Sequence, residues 1–102
     1  MKITHTGDTL NISELKDLCA VNSDNFRSEV CRSLPSSVQT IEVDLSSTRF
    51  VDSCGLGALI GVYKTASRGN GGVTVRLVNP SPSIQQIFEL TRLHRLFEVV
   101  QR

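Results

Sequence analysis

The chain has 102 residues, of which 39% are hydrophobic and 21% charged, and a formal net charge of +1. This length predicts one packed domain over residues 1–102, and a charge near zero without any Lys/Arg cluster argues against direct nucleic-acid binding. The start of the chain lacks an apolar segment of signal-peptide length, and no stretch reaches the roughly 18 apolar residues of a membrane span. We therefore expect a cytoplasmic protein without a membrane span.

The first third of the chain predicts a hairpin followed by a helix. Lys2–His5 and Thr9–Ser13 are β-prone runs on either side of Gly7-Asp8, a dipeptide suited to a tight turn. Phe26, Val30 and Leu34 then recur at helical spacing, which predicts a helix over residues 23–34 that Pro35 ends. Three side chains before or within its first turn offer capping oxygens, namely Asn22, Ser23 and Asp24.

The middle of the chain predicts a strand and then a longer helix. In residues 40–45, apolar side chains alternate at period two, as they do on one face of a strand. Beyond Ser53, apolar residues follow the spacing of a helix laid on a sheet: Leu56, Leu59, Ile60 and Tyr63. The glycine-rich run 69–72 predicts the end of that helix.

The last third repeats the same alternation. Residues 73–78 predict another strand, Asn79-Pro80 a turn, and Ser81 or Ser83 the cap of a third helix. Residues 96–100 predict a short edge strand. Because strand and helix alternate, neighbouring strands should be parallel and joined by right-handed crossovers. We predict an α/β fold: a small mixed sheet of about four or five strands, with an opening hairpin and helices mainly on one face.

The most distinctive pattern lies where a strand is followed by the long helix. It reads Asp44-Leu45-Ser46, then three residues later Phe50-Val51-Asp52-Ser53-Cys54-Gly55-Leu56-Gly57. This run resembles the signature of the STAS family, D-L-S-x-x-x-F-[IVM]-D-S-x-G-L-G before the second helix. Gly61, Tyr63-Lys64, the Asn79-Pro80 turn and the end of the third helix look similar too. The resemblance covers about residues 9–100.

Within that family, a single-domain member with serine after the motif aspartate looks like an anti-sigma factor antagonist. The resemblance implies that the unphosphorylated protein binds an anti-sigma factor, which is also a serine kinase holding ATP or ADP, and so frees the sigma factor. Phosphorylation of Ser53 then ends binding until a PPM-type, metal-dependent phosphatase removes the phosphate. It implies no cofactor and no metal. The implied partner-binding residues are Asp52, Ser53, Cys54, Gly55, Leu56, Gly57 and Gly61, with Asp44 as a supporting loop residue.

The residues themselves give a compatible interpretation of Ser53. It falls at the expected N-cap of a helix, where the backbone N–H groups of Gly55, Leu56 and Gly57 lack acceptors within the helix. A phosphate at this position would find donors, and glycines would let a nucleotide approach the hydroxyl. The alternative is that Ser53 is only a cap and that the glycines only serve packing.

Two further features have both a functional and a structural interpretation. Gly57 and Gly61 lie on one side of the helix, which predicts close approach by either a partner or the neighbouring strand. Asp52 is suited to accept from the Ser53 hydroxyl or to meet a basic partner group, unless it is an ordinary loop carboxylate. Asp44 is suited to tie down the turn 46–49.

The chain also departs from the family pattern. A G-E-L-D-like run usually precedes the first helix, whereas this chain has Lys16-Asp17-Leu18-Cys19, without the last acidic group. Many relatives also carry a further C-terminal helix, whereas this sequence stops at Arg102. We therefore expect either a less covered sheet face or a different partner surface.

Two rival functions fit less well. Gly55-x-Gly57 begins a helix as in dinucleotide-binding folds, but the third glycine falls at 61 instead of 60 and the next strand ends in Asn79 instead of an acidic residue. The two histidines are isolated and the three cysteines lack metal-ligand spacing, so we expect no enzyme and no metal site. The other rival is a STAS subunit that is not phosphorylated, in a stress-signalling scaffold or a lipid ABC transport complex.

Overall fold

The computed structural model describes residues 1–34, 37–70 and 72–102. Within them lie seven strands, three α-helices and one short 3₁₀ helix. The strands are β1 Lys2–Thr6, β2 Thr9–Ser13, β3 Asp17–Leu18, β4 Thr40–Asp44, β5 Phe50–Val51, β6 Thr74–Val78 and β7 Glu98–Val100. The helices are α1 Ser23–Arg32, α2 Ser53–Asn70 and α3 Pro82–Leu90, and the 3₁₀ helix is Leu93–Arg95.

Five strands form one mixed sheet in the order β1-β2-β4-β6-β7. β1 and β2 pair antiparallel across the turn at Gly7, whose φ of 60° is the left-handed conformation that glycine adopts without strain. β2, β4, β6 and β7 pair parallel, with helical crossovers between β2 and β4, β4 and β6, and β6 and β7. The predicted α/β fold, its opening hairpin and its final edge strand are confirmed.

The hydrophobic core lies between one face of this sheet and the helices. Parallel register places Leu10 beside Ile41 and Ile41 beside Val75, so alternate residues of three strands face the same side. Each of these side chains is at most 1% exposed, and the helices cover them with Phe26, Val30, Leu59, Val62, Ile84 and Phe88. The prediction that helices pack mainly on one face is confirmed, since the opposite face carries polar side chains such as Glu42 and Arg76.

The predicted first helix is too long at its C-terminus, and its predicted cap is wrong. α1 ends at Arg32, where the Ser33 hydroxyl donates to the Glu29 carbonyl at 2.8 Å. Pro35, the predicted stop, lies outside the described residues. Asn22 precedes the helix but makes no capping bond, because its side chain accepts from the Cys19 N–H and donates to the Asp17 carbonyl, both at 2.8 Å.

A second, two-stranded sheet was not predicted from the sequence. β3 and β5 pair parallel, with Asp17 beside Phe50 and Leu18 beside Val51. Each strand has two residues, too few for a hydrophobic period to identify. The pairing holds the start of α2 next to β3, because α2 begins directly after β5.

Smaller differences concern the ends of elements. The strand predicted over 40–45 ends at Asp44, the one predicted over 73–78 begins at Thr74, and the last begins at Glu98. The last difference arises because the Leu96 and Phe97 N–H groups both donate to the Leu93 carbonyl, which extends the helical turn. Ser81 caps α3, accepting from the Ile84 N–H at 3.4 Å. α2 ends at Asn70, and Gly71 of the predicted stop lies outside the described residues.

Candidate functional site

Ser53 is the first residue of α2, and the prediction that it caps this helix is wrong. The capping group is the carboxylate of Asp52, whose Oδ1 accepts from the Gly55 N–H at 3.0 Å. Ser53 itself is exposed, and its hydroxyl has no hydrogen-bond partner among the described residues. The hydroxyl is therefore open to solvent and to any enzyme that approaches the start of α2.

Two of the backbone donors predicted to await a phosphate are already occupied. The Gly55 N–H donates to the Asp52 side chain, and the Leu56 N–H donates to the Asp52 carbonyl at 3.0 Å. The hydrogen bond from Gly55, with others from Ala20 and nearby N–H groups, holds the pKa of Asp52 below its usual value. Asp52 thus stays anionic and completes the helix start without any phosphate.

The same carboxylate also joins α2 to the loop before α1. Oδ2 of Asp52 accepts from the Ala20 N–H at 3.0 Å, and the Asp52 N–H donates to the Leu18 carbonyl at 3.2 Å. Asp52 therefore does not accept from the Ser53 hydroxyl, as one interpretation predicted. Nor is it an ordinary loop carboxylate, because both of its oxygens accept from backbone N–H groups. Asp52 is a structural link between two segments that lie 32 residues apart in the chain.

Gly55 and Gly57 have different roles. A Cβ atom on Gly55 would lie 2.1 Å from the Leu18 carbonyl oxygen, so α2 approaches β3 this closely only with glycine at position 55. A Cβ atom on Gly57 would meet nothing within 4 Å. The packing alternative therefore explains Gly55, whereas Gly57 leaves bare backbone at the surface.

Gly61 faces neither a strand nor open space, which corrects the prediction for this residue. A Cβ atom there would lie 2.8 Å from Cδ of Arg27, which belongs to α1. The close approach on this side of α2 is therefore made by the neighbouring helix. Leu56, on another side of α2, is half-buried against the core.

A groove of about 230 Å³ runs between the starts of α1 and α2. Its lining residues come from both helices: Ser23, Asp24, Arg27, Cys54, Gly57 and Ala58. Cys54, Gly57, Asp24 and Arg27 are exposed, so the groove opens to solvent beside Ser53. Motif reasoning missed its α1 side, because Asp24 and Arg27 lie on a helix outside the motif around Ser53 and no local pattern places that helix beside α2.

Asp44 makes the contact that its structural interpretation predicted. Its Oδ1 accepts from the Ser46 N–H at 2.9 Å and so fixes the turn after β4. Within that turn Thr48 is 3% exposed and donates to the Leu15 carbonyl, while the Arg49 N–H donates to the Lys16 carbonyl. The segment before Ser53 is thereby attached to the loop after β2.

Within the part of the chain that the structure describes, no group of three or more His, Cys, Asp or Glu side chains could hold a metal ion. None of its helices is both long and apolar enough to cross a membrane.

Comparison with known proteins agrees with this geometry. The family model described as STAS domain matches residues 1–102. TM1081 of Thermotoga maritima, described as a candidate anti-sigma factor antagonist, is 24% identical, with a TM-score of 0.85 over 99% of this chain and 85% of its own. The anti-sigma factor antagonist SpoIIAA in its unphosphorylated form is 20% identical, with a TM-score of 0.82 over 99% of this chain and 86% of its own.

Two further structures share the fold. The phosphorylated form of SpoIIAA, a Bacillus cell fate determinant, has a TM-score of 0.75 at 21% identity, covering 99% of this chain and 89% of its own. The murine anion transporter Slc26a9 has a TM-score of 0.73 at 23% identity, covering 90% of this chain but 15% of its own. At such identities the likeness establishes the fold alone.

Proposed function

This chain belongs to the STAS domain family, and from that premise we propose that it is an anti-sigma factor antagonist switched by phosphorylation of Ser53. The unphosphorylated form binds an anti-sigma factor that is also a serine kinase carrying ATP or ADP, and the sigma factor is released. The kinase phosphorylates Ser53 and the complex separates. A PPM-type serine phosphatase restores the binding form, and the whole cycle takes place in the cytoplasm.

The observation that carries this proposal is the free, exposed hydroxyl of Ser53 at a helix start that Asp52 caps. A kinase needs an accessible hydroxyl, and Ser53 is exposed without a protein hydrogen bond. Its backbone position is fixed independently of the hydroxyl, because Asp52 caps the helix. The bare surface of Gly57 one turn along gives a nucleotide-bearing partner room to approach.

The same arrangement explains how a phosphate would act on binding and not on folding. A phosphoserine carries a charge of about −1.5 to −2; the helix N-terminus attracts this charge, whereas the neighbouring Asp52 carboxylate repels it, so the net effect on folding should be small. Against a partner that already holds nucleotide phosphates, the charge meets like charge and must lose water. The exposed residues that would share this contact are Cys54 and Gly57, whereas Gly61 lies one turn beyond Gly57 against the Arg27 side chain.

A second candidate function is that of a STAS subunit that is not phosphorylated. The similarity of fold to part of a transporter supports it, because STAS-like domains are then also components of transport proteins. In that role the α1–α2 groove would bind a scaffold or a transport subunit, including a lipid ABC complex, without a kinase.

Incubation with candidate kinases and ATP distinguishes the phosphorylated switch from the STAS subunit that is not phosphorylated. We expect intact mass to show one added phosphate and fragment analysis to place it on Ser53, with none on Ser53→Ala. Ser46→Ala is the matched control, because Ser46 is also an exposed serine but lies in the turn after β4. Phosphate on Ser46 or Ser47, or none with any kinase encoded beside the gene, would contradict the switch and favour the scaffold.

A further inference from the structure

We propose that the start of α1, with the side chains of Ser23 and Arg27, is a binding site for a phosphate group in the groove between α1 and α2. The phosphate has two possible sources, a free phosphate ion and a phosphate on Ser53 of the same chain. For the free ion the inference stands by itself, and for the phosphate on Ser53 it rests on the proposed function.

The Ser23 side chain is the observation that points to a ligand. Ser23 is the first residue of α1, is 7% exposed and lines the groove. Its hydroxyl has no hydrogen-bond partner among the described residues, although buried polar groups in native proteins nearly always have one. Because Ser23 lines the groove, a group bound in the groove is placed to supply that partner.

The backbone at the start of α1 offers further donors. Asn22 makes no capping bond, and the N–H groups of Asp24 and Asn25 find no acceptor among the described residues. At the start of α2, in contrast, the Asp52 carboxylate already accepts from the Gly55 N–H. Free N–H groups and the positive end of the helix dipole favour an anion at the start of α1.

Arg27 supplies a positive charge to the same groove. It lies four residues after Ser23, on the same side of α1, and forms no ion pair with another described residue. Its Cδ lies 2.8 Å from the position of a Cβ atom on Gly61, so the long side chain now packs along α2. Rotation of this side chain can carry the guanidinium to a phosphate that the Ser23 hydroxyl binds. Guanidinium, hydroxyl and backbone N–H groups are typical donors to phosphate oxygens.

One carboxylate in the groove opposes an anion. Asp24 lines the groove, whereas the α2 residues that line it carry no charge. The nearby Asp52 carboxylate accepts from backbone N–H groups with both of its oxygens. Arg27 and the helix start must therefore outweigh the repulsion from Asp24, and Asp24→Asn should strengthen phosphate binding.

Ser53 is placed to deliver a phosphate to this site. It directly precedes Cys54 and lies one helical turn before Gly57, and both of these residues line the groove. A Cβ atom on Gly57 would meet nothing within 4 Å, so this part of the groove is open. Because Asp52 occupies donors at the start of α2, a phosphate on Ser53 finds its free backbone donors at the start of α1.

NMR titration of the unmodified protein with inorganic phosphate, at constant ionic strength, tests the site for the free ion. We expect saturable shifts of the Ser23, Asp24 and Asn25 amide signals. Ser23→Ala and Arg27→Gln should each weaken binding by about 10-fold, since each removes a hydrogen bond to a charged group.

Two exposed residues of α1 outside the groove provide matched controls. Ser28→Ala and Arg32→Gln make the same chemical changes as the test variants and should leave phosphate affinity unchanged. Melting temperatures near that of the wild-type protein show that all four variants fold.

The protein phosphorylated on Ser53 distinguishes the two sources. If its phosphate occupies the site, ³¹P NMR should show the second pKa of the phosphoserine rising by about half a pH unit in Ser23→Ala and in Arg27→Gln. Added inorganic phosphate should then no longer shift the amide signals of α1. If inorganic phosphate binds the phosphorylated and unmodified proteins equally, the free ion is the ligand.

The outcomes also separate this inference from the proposed function. The site is overturned if inorganic phosphate gives no saturable shift and the variants leave the phosphoserine pKa unchanged. Equal losses of affinity in the test and control variants overturn it too, because they indicate general attraction to a charged helix. If no kinase phosphorylates Ser53, the switch is contradicted, and the titration with inorganic phosphate still decides whether the site exists.

Discussion

Asp52 at the start of α2 and Glu42 on the open face of the sheet are both carboxylates with a lowered pKa, but for different reasons. Glu42 is held mainly by the side chain of Arg102, with Arg76 on its other side, at distances of 2.8 and 3.1 Å. Asp52 is held by backbone N–H groups, first Gly55 and then Ala20. One carboxylate is neutralised by arginines, whereas the other organises the backbone.

The two regions also differ in how their charged side chains are paired. On the sheet, Arg76 lies between Glu42 and Glu98, and Arg102 pairs with Glu42 as well. The two positive and two negative charges of this network therefore cancel. At the groove between α1 and α2, Asp52 accepts from backbone N–H groups, while Asp24 and Arg27 have no ion pair among the described residues. The exposed charges of Asp24 and Arg27 are thus free to pair with charges of a partner at the proposed binding site.

Among substitutions at the start of α2, we expect Gly55→Ala to lower the free energy of unfolding most. Gly55→Ala brings a Cβ atom to 2.1 Å from the Leu18 carbonyl, so we expect a loss of about 2–3 kcal/mol in the free energy of unfolding. Gly57→Ala, with nothing within 4 Å, should instead stabilise α2 by up to about 1 kcal/mol. Urea unfolding measures both, and equal effects would contradict the assignment of packing to Gly55 alone.

The ion pairs on the open face of the sheet should contribute less to stability than the close packing at Gly55 does. Glu42→Gln removes one member of two ion pairs, and we expect it to cost about 1 kcal/mol at low salt and less in high salt, because its arginine partners are partly exposed. Kinase affinity should not change. Glu98→Gln is the milder control, since the Glu98 side chain is 50% exposed. A loss of affinity in Glu42→Gln would show that the sheet face also binds the partner.

The fold was largely predictable from the sequence, because periodic apolar residues identify strands and helices that bury one face. Ile41, Val43 and Leu45 illustrate this, since their period-two alternation predicted the strand that the structure shows as β4. β3 and β5 escaped prediction because two residues define no period. The cap of α1 escaped it because Asn22 uses its amide on two other backbone groups, a choice that only tertiary geometry determines.

The candidate site was predictable only in part. The motif around Ser53 was found, yet the role of Asp52 depends on the Ala20 N–H, which lies 32 residues away in the chain. The neighbour of Gly61 is the side chain of Arg27, and no pattern local to α2 predicts that α1 lies against it. Long-range contacts of this kind require the folded arrangement of the elements.

Acid pH should remove the stability that Glu42 and Asp52 contribute, because the pKa of each is lowered in the folded protein. Because the pKa of Glu42 lies below its ordinary value of 4.5 in the folded state, its contribution to stability is present above that pH and is lost as pH falls through the folded value. The stability difference between wild type and Glu42→Gln should therefore shrink as pH falls below 4.5 and approach zero once the pH lies below the folded pKa. Asp52→Asn should follow the same direction but with weaker salt dependence. A difference that grows on acidification would contradict the ion pairs.

The smallest expected effect is at Gly61. Gly61→Ala gains helix propensity but must displace the flexible Arg27 side chain, so its net effect should stay within about 1 kcal/mol. In an Arg27→Ala background the conflict disappears, and the same substitution should be stabilising. Thermal unfolding of the four proteins in this cycle measures the coupling, and a large loss in both backgrounds would place a core residue against Gly61.

The most direct test of the switch is calorimetric binding of the ADP-bound kinase to unmodified and Ser53-phosphorylated protein, with a melting temperature for each. Since like-charge contact at an interface costs several kcal/mol, phosphorylation should weaken binding by about 100-fold or more. The melting temperature should hardly change, because Asp52 already completes the helix start. Equal affinities, or a loss of affinity accompanied by unfolding, would contradict the proposal that Ser53 controls the interface and not the fold.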